Sequence, residues 1–291
     1  MIFLVLAIAA GLLVSVIFKM AGSRDVDRLT MITANYVAAG LTAFVVLYVG
    51  GADLNVVSDR GMMIFGVAVA SLFIAEFFLL SWAIEVIGVA IVIGVVRTSI
   101  VITFLASWLV WSEQPSGAQF TGLAIAISAF FLISKLDGAT LSAANGLSSK
   151  RRLVVLVILF FGIGAVGLSM KAFNEWFADD FHLTVFAWLA FSLAAAYGLF
   201  AIVVRGILHS RWADRRSVGW GIVLGITNFA TIDFIVRALD VLPATFVLPV
   251  NGIASTILAA ATGVVVWREH VSRLNWVGIG MAVTALVLLN L

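Results

Sequence analysis

The hydrophobic positions of this chain form ten long apolar runs separated by short polar segments. A membrane-spanning helix needs about 20 mostly apolar residues, and the runs approach or exceed that length. The pattern predicts membrane helices at roughly residues 1–20, 29–50, 60–82, 86–110, 117–135, 152–172, 182–204, 217–237, 243–266 and 274–291. The first run has no basic residue before it and is longer than the apolar core of a secretory signal, so we interpret it as the first membrane helix.

Composition strengthens this interpretation. Hydrophobic residues make up 63% of the chain, charged residues only 11%, and the mean hydropathy is +1.19, whereas soluble domains are about 25% charged. We therefore predict an all-α, multi-pass membrane protein whose partners are the lipid bilayer and a small-molecule substrate, with no nucleic acid. The chain has no cysteine, which excludes disulfide bonds, a thiol nucleophile and thiolate metal ligands.

The basic residues lie mostly in one set of loops. The loops after predicted helices 1, 3, 5, 7 and 9 hold Lys19, Arg24, Arg28, Lys135, Lys150, Arg151, Arg152, Arg205, Arg211, Arg215, Arg216, Arg268 and Arg273, and the other set holds only Arg60, Lys171 and Arg237. Basic loops favour the cytoplasmic side. The sequence thus predicts an inner cell membrane protein with both termini outside.

An internal repeat divides the chain. The stretch WSEQPSGAQFTGLAIAISAFFLIS at 111–134 aligns without gaps with WREHVSRLNWVGIGMAVTALVLLN at 267–290, an offset of 156 residues. Identical positions include Trp111/Trp267, Glu113/Glu269, Ser116/Ser272, Gly122/Gly278 and Ala126/Ala282. The shared small residues Gly122 and Gly278 are typical of close helix packing in lipid.

Each half of the chain contains five predicted helices. The boundaries that we predict are a first repeat at 1–135, a linker at 136–151 and a second repeat at 152–291. Because five is odd, the two copies enter the membrane in opposite directions. Inverted repeats of this kind are common in alternating-access transporters.

These features resemble the drug/metabolite transporter superfamily, and most closely its EamA-type domains. The resemblance is carried by WSEQPSGAQFTGLAIAIS and WREHVSRLNWVGIGMAVT, together with EVIGVAIVIGVVRTSIVI and DVLPATFVLPVNGIAST before them, and it covers essentially the whole chain. It implies secondary transport through a central cavity. The family moves amino acids, nucleotide sugars, sugar phosphates and organic cations, so the resemblance does not name the cargo. One departure is that Ser112 and Arg268 stand where the family usually has glycine before the glutamate.

Three ionisable residues fall inside predicted helices: Glu76, Arg97 and Asp233. An arginine at the bilayer centre costs roughly 3 to 10 kcal/mol, so such residues are functional candidates that need a partner. Helix geometry places Glu76 and Arg97 about 7 Å apart along the membrane normal, which predicts an ion pair between them. Two interpretations stay open: a static strut, or an arginine that binds an anionic substrate group while Glu76 competes or carries a proton.

The remaining candidates have equally plausible structural roles. We expect Asp233 to pair with Arg237 four residues later. Uncharged candidates for substrate binding are Asn35, Tyr36, Asn228 and Asn251, the last beside a kink expected at Pro249. Asparagine in a membrane helix is as often a link between helices as a ligand.

We expect no cofactor, no metal and no enzymatic activity. The three histidines lie in predicted loops, and no phosphate-binding or nucleophile motif is present. The function that we predict is secondary transport of a small polar metabolite, such as an amino acid or organic anion, by alternating access, with a monomer sufficient. One alternative is an exporter of quaternary ammonium compounds, with Trp108 and Trp188 as candidate cage residues. A channel or a scaffold protein is the alternative of a different class.

Overall fold

A computed structural model describes residues 1–52, 55–134 and 148–290, and of Ser134, Ala244, Thr245 and Pro249 only the backbone. The helices are α1 Ile2–Gly22, α2 Arg28–Val49, α3 Arg60–Val86, α4 Val89–Thr98, α5 Ile100–Leu109, α6 Gly117–Ser134, α7 Ser149–Trp176, α8 Leu183–His209, α9 Arg215–Leu239, α10 Ala244–Trp267 and α11 Arg273–Leu289, with a short 3₁₀ turn at Asn55–Ser58.

The predicted all-α fold of ten membrane helices is confirmed, with one refinement. The fourth predicted helix is divided into α4 and α5, which together form one span. Eight spans are long and apolar enough to cross a membrane, and α6 and α11 are shorter apolar helices. Most of the predicted linker lies outside the described residues, and so does the side chain of Pro249, across which the backbone of α10 is helical.

The division between α4 and α5 has a local cause. The Thr98 hydroxyl donates a hydrogen bond to the Val95 carbonyl, and the Ser99 hydroxyl donates to the Val96 carbonyl. Such side-chain bonds compete with the backbone ladder and bend helices. Two such bonds from the adjacent residues Thr98 and Ser99 coincide with the interruption, which the resemblance alone would not have located.

Polar side chains fix the starts of most helices. A side chain at the residue before the helix accepts a hydrogen bond from the first turn, which satisfies one of the free N–H groups there. The capping residues are Asp27, Asp59, Ser148, His182, Asp214 and Ser272. Because these caps stand between apolar runs, they set the helix boundaries that hydrophobicity alone leaves uncertain.

The sequence repeat has matching local geometry in both halves. Ser112 and Arg268 share a left-handed backbone, with φ of 56° and 53°, which explains why glycine is usual there. One residue later, the Glu113 N–H donates to the Ser107 carbonyl, and the Glu269 N–H donates to that of Gly263. Reciprocal capping boxes follow in each half, formed by Ser116 with Gln119 and by Ser272 with Asn275.

The helix contacts between the two halves are repeated in the same way as the local geometry. Equivalent helices pack on each other in the pairs α2 with α8, α6 with α11, and α4 with α10, and the α1–α9 contact has its counterpart in α7–α3. At the α6–α11 contact, Gly122 lies against Leu289 and Gly278 against Ile133. The small residues therefore serve helix packing, as the sequence predicted.

Sequence reasoning missed a close contact between two helices, α2 and α9. Gly221 and Gly225 form a small-xxx-small pair on α9, and a Cβ at either position would meet backbone atoms of α2, the carbonyl oxygens of Met31 and Asn35. Backbone cannot yield as a flexible side chain can. Two glycines thus allow α9 of one half to pack directly on α2 of the other.

We expect Gly225→Ala to destabilise the protein, because the added methyl overpacks against α2. Overpacking of this kind costs about 1–3 kcal/mol, and thermal unfolding of the purified protein in detergent measures it. Gly219→Ala is the matched control on the same helix, since a Cβ there meets nothing within 4 Å. Equal stability of the two variants would contradict the packing argument.

Asp27 connects the two halves at the end of the bundle that carries the basic loops, which we call the basic end. Its carboxylate caps α2 and accepts two hydrogen bonds from Arg205 on α8, at 2.8 and 2.6 Å. Partial burial acts to raise the pKa of Asp27, but hydrogen bonds from Arg205 and Thr30 outweigh it and hold the pKa below its usual range. The charged form is therefore favoured by folding.

We expect Asp27→Asn to lower the unfolding temperature at neutral pH, while retaining a residue that can cap α2. Since the folded pKa lies below the unfolded value, near 4, the stabilisation by Asp27 is fully present above that value and is lost as pH falls through the folded pKa. Unfolding temperatures of wild type and variant measured between pH 7 and pH 3 should therefore converge at the acid end. A constant difference across this range would show that the charge of Asp27 contributes nothing.

Candidate functional site

Arg97 lies in the last turn of α4, two residues before the division of the span. Its guanidinium is enclosed by protein, and its Nε is buried without a hydrogen-bond partner. Within the described residues no acid lies within 4 Å of the guanidinium, so its charge is available to a ligand.

Glu76 on α3 does not pair with Arg97, and the predicted ion pair is therefore wrong. The Glu76 carboxylate is packed over Gly162 of α7, its side chain is buried, and its Oε2 has no hydrogen-bond partner. The axial estimate was compatible with a pair, but it carries no information about the direction in which each side chain leaves its helix. Gly162 supplies the space that turns Glu76 toward α7.

Two further candidates have an unused polar atom: the Oδ1 of Asn251 on α10 and the Nδ2 of Asn35 on α2 are each buried without a partner. Helix α10 packs directly on α4. Measured from the start of α4, Arg97 lies about 12 Å inside the basic end. Measured from the start of α10, Asn251 lies about 10 Å inside the other end.

Asn35, Tyr36 and Asn228 each make a side-chain hydrogen bond within the protein. Asn228 donates to the Asn35 side chain at 3.4 Å, beside the glycine contact between α2 and α9. The Tyr36 hydroxyl donates to the Phe73 carbonyl at 2.7 Å. These contacts link helices, so the role of the three residues as substrate ligands stays a prediction with a competing structural role.

Asp233 pairs with Arg237 at 2.6 Å, as the spacing predicted. The two tryptophans of the suggested aromatic cage have separate neighbours: Trp108 packs on Phe120, and Trp188 packs on Phe44. Within the part of the chain that the structure describes, no group of three acids or histidines is placed to hold a metal ion.

The ionic contacts made by the repeated glutamates were not foreseen. Glu269 pairs with Lys19 at 3.0 Å and also accepts hydrogen bonds from the Val89 and Ala90 N–H groups at the start of α4. At the other end of the bundle, which we call the opposite end, Glu113 pairs with Lys171. The signal in the sequence was the shared Trp-x-Glu together with a lysine closing the first helix of each half.

Two clefts open beside these contacts. At the opposite end, a cleft of about 300 Å³ extends from Glu113 along α5 to Ile100, one helical turn from Arg97. At the basic end, a polar cleft of about 600 Å³ is lined by Arg24, Arg28 and Arg205, of which the last two are paired with Glu85 and Asp27.

Three similarities to known proteins extend these observations. The sequence profile of the EamA-like transporter family matches residues 1–135. An uncharacterized protein of Haemophilus influenzae is 26% identical over 289 residues, covering 97% of this chain and 95% of that protein. A solved crystal structure superposes with a TM-score of 0.63 at 14% identity, covering 99% of this chain and 94% of that one, and this likeness concerns the fold alone.

The matched profile agrees with the sequence resemblance and with the ten-helix fold. The profile is that of a transporter family, and the apolar helices make the chain a multi-pass integral membrane protein. Over residues 1–135, the chain is similar to the EamA-like transporter family.

Proposed function

We propose that this protein is a secondary transporter that moves a small polar metabolite with an anionic group by alternating access. The observation that carries the proposal is Arg97, a guanidinium enclosed in the bundle with an unpartnered Nε. An unpaired arginine at this depth costs several kcal/mol. A carboxylate or phosphate on the substrate would supply the missing partner, and the planar fork of arginine suits both groups.

The interrupted span supports a site at this depth. Transporters of inverted-repeat type bind their substrates near the midplane, where a membrane helix is discontinuous. Here the interruption at Ser99 adjoins Arg97. Asn251 on the equivalent helix of the other half offers an acceptor for an ammonium or hydroxyl group of the same substrate.

Glu76 is our candidate proton carrier. It is buried at 6% exposure beside Gly162, and one carboxylate oxygen has no partner. A carboxyl group in apolar surroundings exchanges its proton when the site opens to water, which is how buried acids serve as relays in membrane proteins. For sidedness, we propose that the basic end faces the cytoplasm, so that both termini face outward.

The alternatives have less support. A quaternary ammonium exporter would need aromatic rings around one point, and Trp108 and Trp188 each pack on a different phenylalanine. A channel would not need two inverted halves. Saturable uptake with counter-transport in proteoliposomes would distinguish a carrier from a channel.

We expect Arg97→Gln to abolish the thermal stabilisation that an anionic ligand gives the wild type. A screen of amino acids, organic anions and sugar phosphates identifies the ligand class; at about 100 times its Kd, a ligand adds about 2.7 kcal/mol. Removing one partner of a buried charge pair costs about 2–5 kcal/mol, so affinity should fall about 30-fold or more. Arg237→Gln is the control, since Arg237 is paired near a helix end. Equal stabilisation of wild type and Arg97→Gln would refute the role of Arg97.

We expect Glu76→Gln to abolish uptake driven by a pH gradient while exchange of labelled for unlabelled substrate continues, because glutamine fills the same space but carries no proton. Both fluxes are measured in proteoliposomes. Glu85→Gln is the control, an acid near the end of the same helix that pairs with Arg28. An unchanged response of Glu76→Gln to the pH gradient would end the proton-carrier hypothesis.

A further inference from the structure

We infer that Glu269 with Lys19, and Glu113 with Lys171, are the two gates of the transport cycle, and that each glutamate closes its end by capping a helix start that belongs to the equivalent pair α4 and α10. This inference rests on the proposed alternating access. It assigns a positioning role to four residues outside the substrate site.

At the basic end the gate is closed. Glu269, from the second half, holds the start of α4 through two N–H groups at 2.9 and 3.1 Å and holds α1 through Lys19. Lys19 also donates to the Ile84 carbonyl at the end of α3. One carboxylate therefore joins three helices of the first half to the second, and its side chain is only 12% exposed.

The backbone around this gate is built to admit the carboxylate. Gly88 precedes α4 with φ of 116°, and a Cβ at Gly88 would lie 2.9 Å from the Glu269 carboxyl carbon. Gly263 lies on the other side of the same carboxyl group. Larger residues at either position would exclude Glu269. Gly88 and Gly263, one in each half, therefore leave the space that the Glu269 carboxylate occupies.

At the opposite end the equivalent gate is incomplete. Glu113 pairs with Lys171, but its side chain is 50% exposed, against 12% for Glu269. The repeat offset makes Phe246 of α10 the counterpart of Ala90, and the Phe246 N–H donates to the Pro243 carbonyl instead of to a carboxylate. Lys171 and Glu113 therefore form an ion pair, but Glu113 does not cap the start of α10.

The helices around the two gates differ in the same sense. Thr103 lines the open cleft at the opposite end, whereas its repeat equivalent Ala259 is 2% exposed. Helix α1 packs on α3, but within the described residues α7 and α9 make no comparable contact. The cap at the basic end is therefore made, and the equivalent cap at the opposite end is not.

The repeat implies the structure of the other state. When the halves exchange conformations, Glu113 moves onto the start of α10 and Glu269 leaves the start of α4, so that one cap is made as the other is broken. The two caps are chemically alike. The exchange thus conserves hydrogen bonds, and neither state leaves buried N–H groups without acceptors at both ends.

The test uses single-cysteine variants. Because the native chain has no cysteine, a thiol reagent labels only the introduced residue. Ala259→Cys reports opening at the basic end, and Thr103→Cys reports opening at the opposite end. Each is combined with Glu269→Gln, Glu113→Gln or Glu85→Gln, and labelling by a water-soluble maleimide is timed in detergent. Glu85 is the matched control, because its partner Arg28 belongs to the same half.

Losing the charged cap should shift the conformational equilibrium about tenfold, a typical capping effect. We expect Glu269→Gln to speed labelling at Ala259→Cys about tenfold and to slow it at Thr103→Cys. Glu113→Gln should leave Ala259→Cys protected, and Glu85→Gln should change neither rate. Should Glu269→Gln prove unstable, Lys19→Gln removes the ion pair and the hydrogen bond to Ile84 but leaves the carboxylate cap of α4, and it should shift both rates in the same directions by less.

The gate assignment is overturned if Glu269→Gln leaves both rates unchanged, or if it and Glu113→Gln shift them in the same direction. It is also overturned if Glu85→Gln matches Glu269→Gln, since general loosening of that end would then explain the effect. No substrate is needed in this experiment. Loss of transport with the labelling shifts intact would therefore count against the proposed function and not against the gates.

Discussion

A charge in the hydrocarbon interior of a membrane needs a partner, and this requirement arranges the ionic residues of the molecule. Near the helix ends the described acids and bases meet: Asp27 with Arg205, Glu269 with Lys19, and Asp233 with Arg237. In mid-bundle, Glu76 and Arg97 face different neighbours and each retains an unpartnered polar atom. Groups that are costly to bury and are left without a partner indicate a place where something else binds.

The duplicated sequence places one chemical motif in two environments at once. The capping boxes at Ser116 and Ser272 and the left-handed turns before Glu113 and Glu269 are the same in both halves. Only the surroundings of the two glutamates differ, one seated between glycines and the other half-exposed. The protein therefore shows both the formed and the unformed state of the same contact, one at each end of the bundle.

Much of the fold could be predicted because strong, repeated signals determine it. Apolar runs of about 20 residues leave a chain few choices other than membrane helices, and the Trp-x-Glu repeat marked the duplication. The site was less accessible to sequence reasoning. The helical rise per residue predicts how deep a side chain lies in the membrane but not the direction in which it leaves the helix. The sequence therefore predicted a Glu76–Arg97 pair, whereas Glu76 packs over Gly162 of α7. Asn35 and Asn228 illustrate the same difficulty, since their hydrogen bond depends on how closely two glycines let α2 and α9 approach.

The unequal lengths of the helices have a consequence for the surrounding lipid. Helix α11 has 17 residues, whereas α3 and α7 have 27 and 28. At about 1.5 Å per residue, α11 spans about 26 Å, less than the roughly 30 Å hydrocarbon thickness of a typical bilayer. A helix this short is matched by thinning of the adjacent lipid or by flanking side chains that reach the interface. The apolar surface that faces the lipid thus differs in height around the bundle. A change in bilayer thickness therefore affects one side of the bundle more than the other.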